Sequence, residues 1–297
     1  MKILLLGKNG QVGWELQRSL APLGELIALD RQVSEGLCGD LADLDQLRAT
    51  ILRVKPDVIV NAAAYTAVDK AETETELAER VNARASQVMA EAAAALGAWL
   101  IHYSTDYVFN GQGKTPWQET DDVAPLNHYG VSKLAGEQAI IASGCKYLIF
   151  RTSWVYGARS NNFAKTMLGL AKDRETLSVI ADQIGAPTGA DLIADVTALA
   201  ISQVMQRPEL AGVYHLAAAG EVSWHGYASH VIDFAKANGE ELAVTAINPI
   251  DTTSYPTPAR RPLNSRLNTR KLRDTFSLHL PDWQSGVTRM LREVLNK

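Results

Sequence analysis

The sequence predicts an α/β protein: a doubly wound parallel Rossmann sheet with a smaller mixed α/β substrate domain. Three observations carry this. Strand-length apolar runs alternate with helix-length periodic segments through the first half. The first run, residues 2–6, leads at once into Gly7-Lys8-Asn9-Gly10-Gln11-Val12-Gly13 and then a helical segment, the context in which glycines bind a dinucleotide. After Arg151 the alternation loosens. The division expected is 1–154 for the dinucleotide-binding domain, with segments of 175–220 returning to it, and 155–297 for the substrate domain.

The bulk properties narrow the function classes. The chain has 297 residues, 46% of them hydrophobic and 21% charged, enough for a sizeable core. A net charge of −4 offers no basic field for nucleic acid. No apolar run of about 18 residues occurs, so no membrane partner is expected. Two cysteines, Cys38 and Cys145, are too few for a disulfide scaffold. They read as small buried residues in a reducing compartment, and the expected location is the cytoplasm.

Each element follows in order. Residues 2–6 form a buried strand and 14–20 a helix. Gly7, Gly10 and Gly13, spaced G-x-x-G-x-x-G, let backbone approach a pyrophosphate whose charge meets the helix N-terminus. Residues 25–29 form a second strand ending at Asp30, an acid placed to bind ribose hydroxyls and disfavour a 2′-phosphate. Arg31 beside it would welcome that phosphate, so the choice of cofactor stays open. Asp40 and Leu41 precede the next helix, where Asp40 can flank the adenine or cap the helix. Residues 57–60 are a third strand, closed by Asn61-Ala62-Ala63-Ala64, whose small side chains leave room for a ligand or for tight helix packing. A long alanine-rich helix over 76–96 carries Asn82, set toward solvent or toward the site.

Residues 98–103 read as a fourth strand ending in Ser104-Thr105-Asp106. Hydroxyls there serve a turn, or lie where ligands bind open α/β sheets. His102 reads as a packed strand residue. Next comes the stretch that organises the chain, Tyr129-Gly130-Val131-Ser132-Lys133 on an amphipathic helix. Four residues apart, Tyr129 and Lys133 share a face, and an ammonium near a phenol lowers its pKa from about 10. Such a tyrosine can exchange a proton at neutral pH. A fifth strand covers 146–150. Helices over 161–172 and 191–205, a strand over 212–216, a stiff basic loop over 256–262 and a helix over 281–297 complete the chain. Arg260 and Arg261 on that loop suit a phosphate.

Taken in this order, the glycine loop, Ser104-Thr105-Asp106 and Tyr129-x-x-x-Lys133 resemble the extended short-chain dehydrogenase/reductases. Within them the chain is similar to the dTDP-4-dehydrorhamnose reductase family. The residues behind this are the blocks 61–72, 104–109, 151–157, 182–188 and 261–265, spanning most of the chain. Tyr107 stands where nucleotide-sugar 4,6-dehydratases carry a glutamate after Thr-Asp, so simple carbonyl reduction is expected rather than elimination.

The resemblance implies reduction of the C4 ketone of a dTDP-sugar, with NADH or NADPH as cofactor, feeding cell-surface polysaccharide. Tyr129 would donate the proton, Lys133 would tune it and hold the nicotinamide ribose, and Thr105 would orient the carbonyl. Positions matching the family's cofactor site are Gly10, Gln11, Val12, Asp30, Asp40, Leu41, Ala62, Ala63, Ala64, Tyr103 and Asn82, the last behind the lysine. Asp106 and Trp154 match sugar-pocket positions. Some members form a dimer bridged by magnesium. The matching carboxylates here are Glu15, Asp191 and Glu293, Asp191 replacing a longer glutamate. The rival readings are a non-catalytic nucleotide-binding regulatory subunit and a reductase or epimerase of another nucleotide sugar.

Overall fold

The computed structural model describes all of residues 1–297. In chain order the first half runs β1 (Lys2–Leu6), α1 (Gln11–Leu20), β2 (Glu25–Leu29), α2 (Leu44–Val54) and β3 (Val58–Asn61). It continues α3 (Val68–Ala71), α4 (Thr75–Glu79), a π-helical turn (Arg80–Arg84), α5 (Ala85–Leu96), β4 (Trp99–Thr105), α6 (His128–Ala142) and β5 (Lys146–Thr152). The second half runs β6 (Val155–Tyr156), α7 (Phe163–Asp173), β7 (Thr176–Ile180), β8 (Ile184–Gly185), β9 (Thr188–Gly189), α8 (Ala190–Val204) and β10 (Gly212–His215). It ends β11 (Val222–Ser223), α9 (Trp224–Ala237), β12 (Ala246–Ile250), α10 (Arg270–Phe276) and α11 (Trp283–Leu295).

Six strands form one sheet in the order β10-β5-β4-β3-β1-β2, every pair parallel. A sheet covered on both faces needs strands apolar on both, and Ile3, Leu4, Leu5 and Leu6 of β1 are all fully buried. Successive side chains alternate faces. Ile3 and Leu5 join Leu16 and Leu20 of α1 with Ile193 and Ile201 of α8. Leu4 and Leu6 join Leu47 and Ile51 of α2 with Met89 of α5 and Ile140 of α6. Strand order reverses at β1, with β2 on one side and β3 on the other. The crevice beyond their carboxyl ends is where open α/β sheets bind ligands.

The second half does not stay apart. β10 pairs with β5, and Leu272, Phe276 and Leu280 enter the same apolar cluster as Ile3. The rest of it builds a smaller lobe. Trp283 and Leu291 of α11 pack on Tyr227 and Val231 of α9, while parallel β7 and β12 cover the far side of α7 and α9.

Several local expectations change. Asp43, not Asp40, caps α2, its carboxylate accepting from Gln46 N at 3.1 Å. Asp40 instead turns its own loop, accepting from Ala42 N at 2.9 Å. The helix expected over 76–96 is interrupted by the π turn, which carries Asn82. Ser104 and Thr105 belong to β4 rather than to a turn after it.

Candidate active site

The glycine turn is shaped by backbone rather than side chains. Gly7 has φ +87°, a conformation that costs other residues strain, and a Cβ there would lie 2.8 Å from Ala63 N. A Cβ on Gly13 would lie 2.0 Å from Gly7 O, so only glycine lets α1 start against the turn. Gly10 precedes α1 with no side-chain cap and no acid in the first turn, leaving the positive helix end free for an anion. Gln11 accepts from Asn162 Nδ2 at 3.3 Å, and Val12 packs on the core. Ala62, Ala63 and Ala64 form the opposite lip at the end of β3, partly exposed.

Asp30 closes β2 and is busy. Its carboxylate accepts from Gln32 N at 2.8 Å and Asn9 Nδ2 at 2.6 Å, with Lys8 Nζ at 3.7 Å. These donors, the Gln32 backbone first, hold it below the usual carboxylate range. Leu41 is buried among Leu47 and Ile51, with Asp40 beside it. A tight glycine turn, an open helix end and an acid at the second strand end together fit a dinucleotide, with cations Lys8 and Arg31 at the adenosine end.

The carboxyl end of β4 meets α6 here. Gly130 admits the approach, since a Cβ on it would lie 2.3 Å from Tyr107 O. Asn127 caps the helix, accepting from Gly130 N at 2.8 Å. Thr105 Oγ1 accepts from Tyr107 N and donates to Asp106 Oδ1, both at 3.1 Å. Asp106 is 2% exposed, its Oδ2 has no partner, and burial pushes its pKa up to about 7, with Ser265 and Thr105 beside it pulling the other way. The Ser104 and Thr152 hydroxyls are likewise buried without partners. Tyr129 is half-buried and meets Tyr107 edge-on at 5.5 Å. Burial pushes its phenol up to about 12, Thr105 pulls it down, and the Asp106 carboxylate pushes it up further.

This corrects the expectation that Lys133 draws the phenol down. In the chain alone Lys133 Nζ is directed elsewhere, donating to Tyr103 O at 2.6 Å and lying 3.1 Å from His102 Nε2. Lys133 is 2% exposed, and burial lowers its pKa to about 8 against the pull of Glu137. Glu137 is itself gripped by Arg151, with contacts at 2.6, 2.9 and 3.2 Å. Asn82 does not bond the lysine directly. Its Oδ1 accepts from Tyr65 N at 2.9 Å, and its Nδ2 donates to Tyr65 O at 3.0 Å and Ser132 Oγ at 2.9 Å. The groups behind Lys133 are His102 and, beyond it, Asn61, whose Nδ2 lies 3.2 Å from His102 Nδ1. Burial of a histidine in a strand gave no hint of this in the sequence.

Tyr103 ends in a 2.8 Å hydrogen bond to Thr197 of α8, tying the site to the second half. Trp154 adopts φ +49°, rare for a bulky residue, and stacks on Trp224 at 3.6 Å between centroids. Trp224 donates to Gln183 Oε1 at 3.1 Å. Trp224 and Gln183 are thus partners of Trp154 that the sequence did not announce. Arg261, expected to face a phosphate, is held by both oxygens of Asp69, at 3.1 and 2.8 Å. The loop that carries it thereby straps across the site and brings Ser265 beside Asp106.

The three carboxylates matched to magnesium do not form a site within one chain. Asp191 is paired with Arg289, which Glu15 and Glu293 also face, and no group of three or more His, Cys, Asp or Glu side chains is arranged for a metal. Within one chain these carboxylates are met by Arg289, so an ion shared between two chains would have to displace that guanidinium.

Comparison with known proteins adds to this geometry. Residues 1–296 match a family model described as the RmlD substrate binding domain. A dTDP-4-dehydrorhamnose reductase of Shigella flexneri is 60% identical, over 99% of this chain and 98% of that protein. A crystal structure of a dTDP-4-dehydrorhamnose reductase from Clostridium acetobutylicum superposes with a TM-score of 0.89 at 34% identity, covering 100% of both chains. One from Bacillus anthracis, in complex with NADP, gives 0.86 at 36% identity, over 98% of this chain and 99% of that one.

Proposed function

This chain belongs to the RmlD family, that of the dTDP-4-dehydrorhamnose reductases, and from that premise we propose how its residues work. It is an NAD(P)H-dependent oxidoreductase that reduces the C4 ketone of dTDP-4-dehydro-L-rhamnose to the alcohol of dTDP-L-rhamnose. When bound, the reduced nicotinamide supplies the hydride to C4. The chain must then bind the sugar, stabilise charge on the ketone oxygen and deliver a proton to it.

The proposed proton donor is Tyr129. What supports it is that a phenol pushed up to about 12 is protonated at every working pH and lies against Thr105 and Asp106. Thr105 would donate to the ketone oxygen, a contact worth about 10² in rate. Lys133 would hold the nicotinamide ribose and keep positive charge near the developing phenolate. Gly7, Gly10, Gln11, Val12 and Gly13 would carry the pyrophosphate, Asp30 with Asp40 and Leu41 the adenosine, and Ala62, Ala63, Ala64 and Tyr103 the rest of the cofactor. Asn82 would act indirectly, by fixing the Tyr65 loop and Ser132. Trp154 and Asp106 would line the sugar pocket. Arg261 would reach a phosphate only by leaving Asp69.

A homodimer and a cytoplasmic location are proposed alongside. The free thiols Cys38 and Cys145 suit the reducing cytoplasm, and no helix is long and apolar enough to cross a membrane. Light scattering tests the dimer.

The decisive assay follows absorbance of reduced nicotinamide with enzymatically made dTDP-4-dehydro-L-rhamnose. Tyr129→Phe should lose about 10²–10⁴ in kcat while still binding cofactor. Near-normal turnover in that variant would remove Tyr129 as the donor.

A further inference from the structure

His102 is wholly buried in the middle of the sheet, and no step above uses it. Its surroundings determine where its proton sits. Asn61 Oδ1 is committed to Ala63 N at 3.1 Å, so the Asn61 amide must turn its Nδ2 donor toward His102 Nδ1, 3.2 Å away. Nδ1 therefore accepts. Burial and the nearby Lys133 hold the imidazole well below its usual pKa, so the ring is neutral and carries one N–H. That hydrogen is on Nε2, and it faces Lys133 Nζ at 3.1 Å.

An ammonium has three donors and no acceptor, whereas a neutral amine has a lone pair. With Nε2–H in front of it, an ammonium at Lys133 meets a donor. A neutral amine would accept from Nε2–H and still donate to Tyr103 O. What offsets this is Glu137 of α6, which draws the ammonium even while Arg151 of β5 grips it; Tyr129, also on α6, is protonated. β4 offers His102 and the carbonyl of Tyr103, with Asp106 beyond its end facing Thr105 and Ser265, and β3 offers only neutral Asn61. On the π turn Arg80 is turned to Ala42 O and Arg84 to Glu79.

We propose that His102 is a positioning residue for the reductase. Locked by Asn61 as its Nε2–H tautomer, it sets the pH at which Lys133 gives up its charge, and with it the basic limb of the activity profile. This rests on the roles of Tyr129 and Lys133 proposed above. It assigns a task to the Asn61–His102 pair, and explains why Asn61 answers both to the Ala63 lip of the cofactor crevice and to the ring behind the lysine.

Nitrogen-15 NMR of the histidine rings in the folded chain reads the tautomer without substrate or turnover, and so stands even if the catalytic roles fail. A protonated Nε2 with a bare Nδ1 on His102 is expected; the reverse overturns the proposal. Kinetics read the consequence. In Asn61→Asp the carboxylate can accept from both Ala63 N and Nδ1–H, which moves the ring proton to Nδ1 and offers Nε2 to the ammonium. The basic limb of kcat/KM should then rise by about one pH unit, a tenfold change in proton affinity. His102→Leu, alone and combined with Asn61→Asp, separates the ring from the new charge: the double variant should match His102→Leu. An unmoved limb in Asn61→Asp, or a double variant that still shows the rise, overturns the role of His102.

Discussion

Replacing Asp106 by asparagine tests the electrostatics of the β4 terminus through stability rather than rate. The carboxyl is 2% exposed with one oxygen unpartnered, and its pKa stands at about 7 against an ordinary value of 3.8. Between those pH values the folded chain keeps a proton that the unfolded chain has lost. Stability therefore falls as pH rises, by about 1.4 kcal/mol per pH unit, and the penalty is complete above pH 7. Over about three units this amounts to roughly 4 kcal/mol as an upper figure. An amide of the same shape carries no such term. Denaturant midpoints of both proteins at pH 4, 5, 6, 7 and 8 give the difference curve, in which other titrating groups largely cancel. The Asp106→Asn chain should gain on the parent steadily from pH 4 to 7 and then level off. A difference that stays flat across that range would mean that Asp106 ionises as an exposed carboxyl does, and the desolvated character assigned to this corner would be wrong.

Two further outcomes are expected. Glu137→Gln, assayed by denaturant melts, should cost about 3–5 kcal/mol, because it strands the Arg151 guanidinium inside the protein; a loss below about 1 kcal/mol would show that the guanidinium finds water. Asp30→Ala should raise the preference for NADPH over NADH, since it frees Lys8 and Asn9 and removes a charge that repels a 2′-phosphate. Comparing kcat/KM for the two cofactors measures it, and no change would assign the preference to Arg31.

The five strands of the first half were legible because each is an apolar run flanked by turn residues, and the Tyr129 to Lys133 spacing forecast a shared helical face. The paired strands β7 and β12 were not legible. Their register joins residues about 70 apart, and nothing local announces it. The π turn was invisible for a different reason. Alanine-rich sequence supports a regular helix, and the bulge exists because Asn82 has partners on two other segments, Tyr65 and Ser132. Site geometry failed in the same way. The sequence placed Lys133 near Tyr129, but its actual partners, Tyr103 O and His102, come from a strand whose side-chain directions depend on register. Arg261 looked free because Asp69, which holds it, lies 192 residues away.

The edge position of β10 has a consequence during synthesis. When the ribosome has released residues 1–154, five parallel strands can pair, but β5 presents an unpaired backbone edge, and the apolar face holding Ile3, Leu5 and Trp99 has α1 but not yet α8 and α10 to cover it. Phe276 and Leu280 arrive only about twenty residues before the end of the chain. At about 5–20 residues per second the half-made protein spends several seconds or more in that sticky state. A nascent chain of this enzyme is therefore a natural client for a chaperone that shields open sheet edges, and a gene fragment ending at the apparent domain boundary should yield aggregate rather than a folded cofactor-binding half.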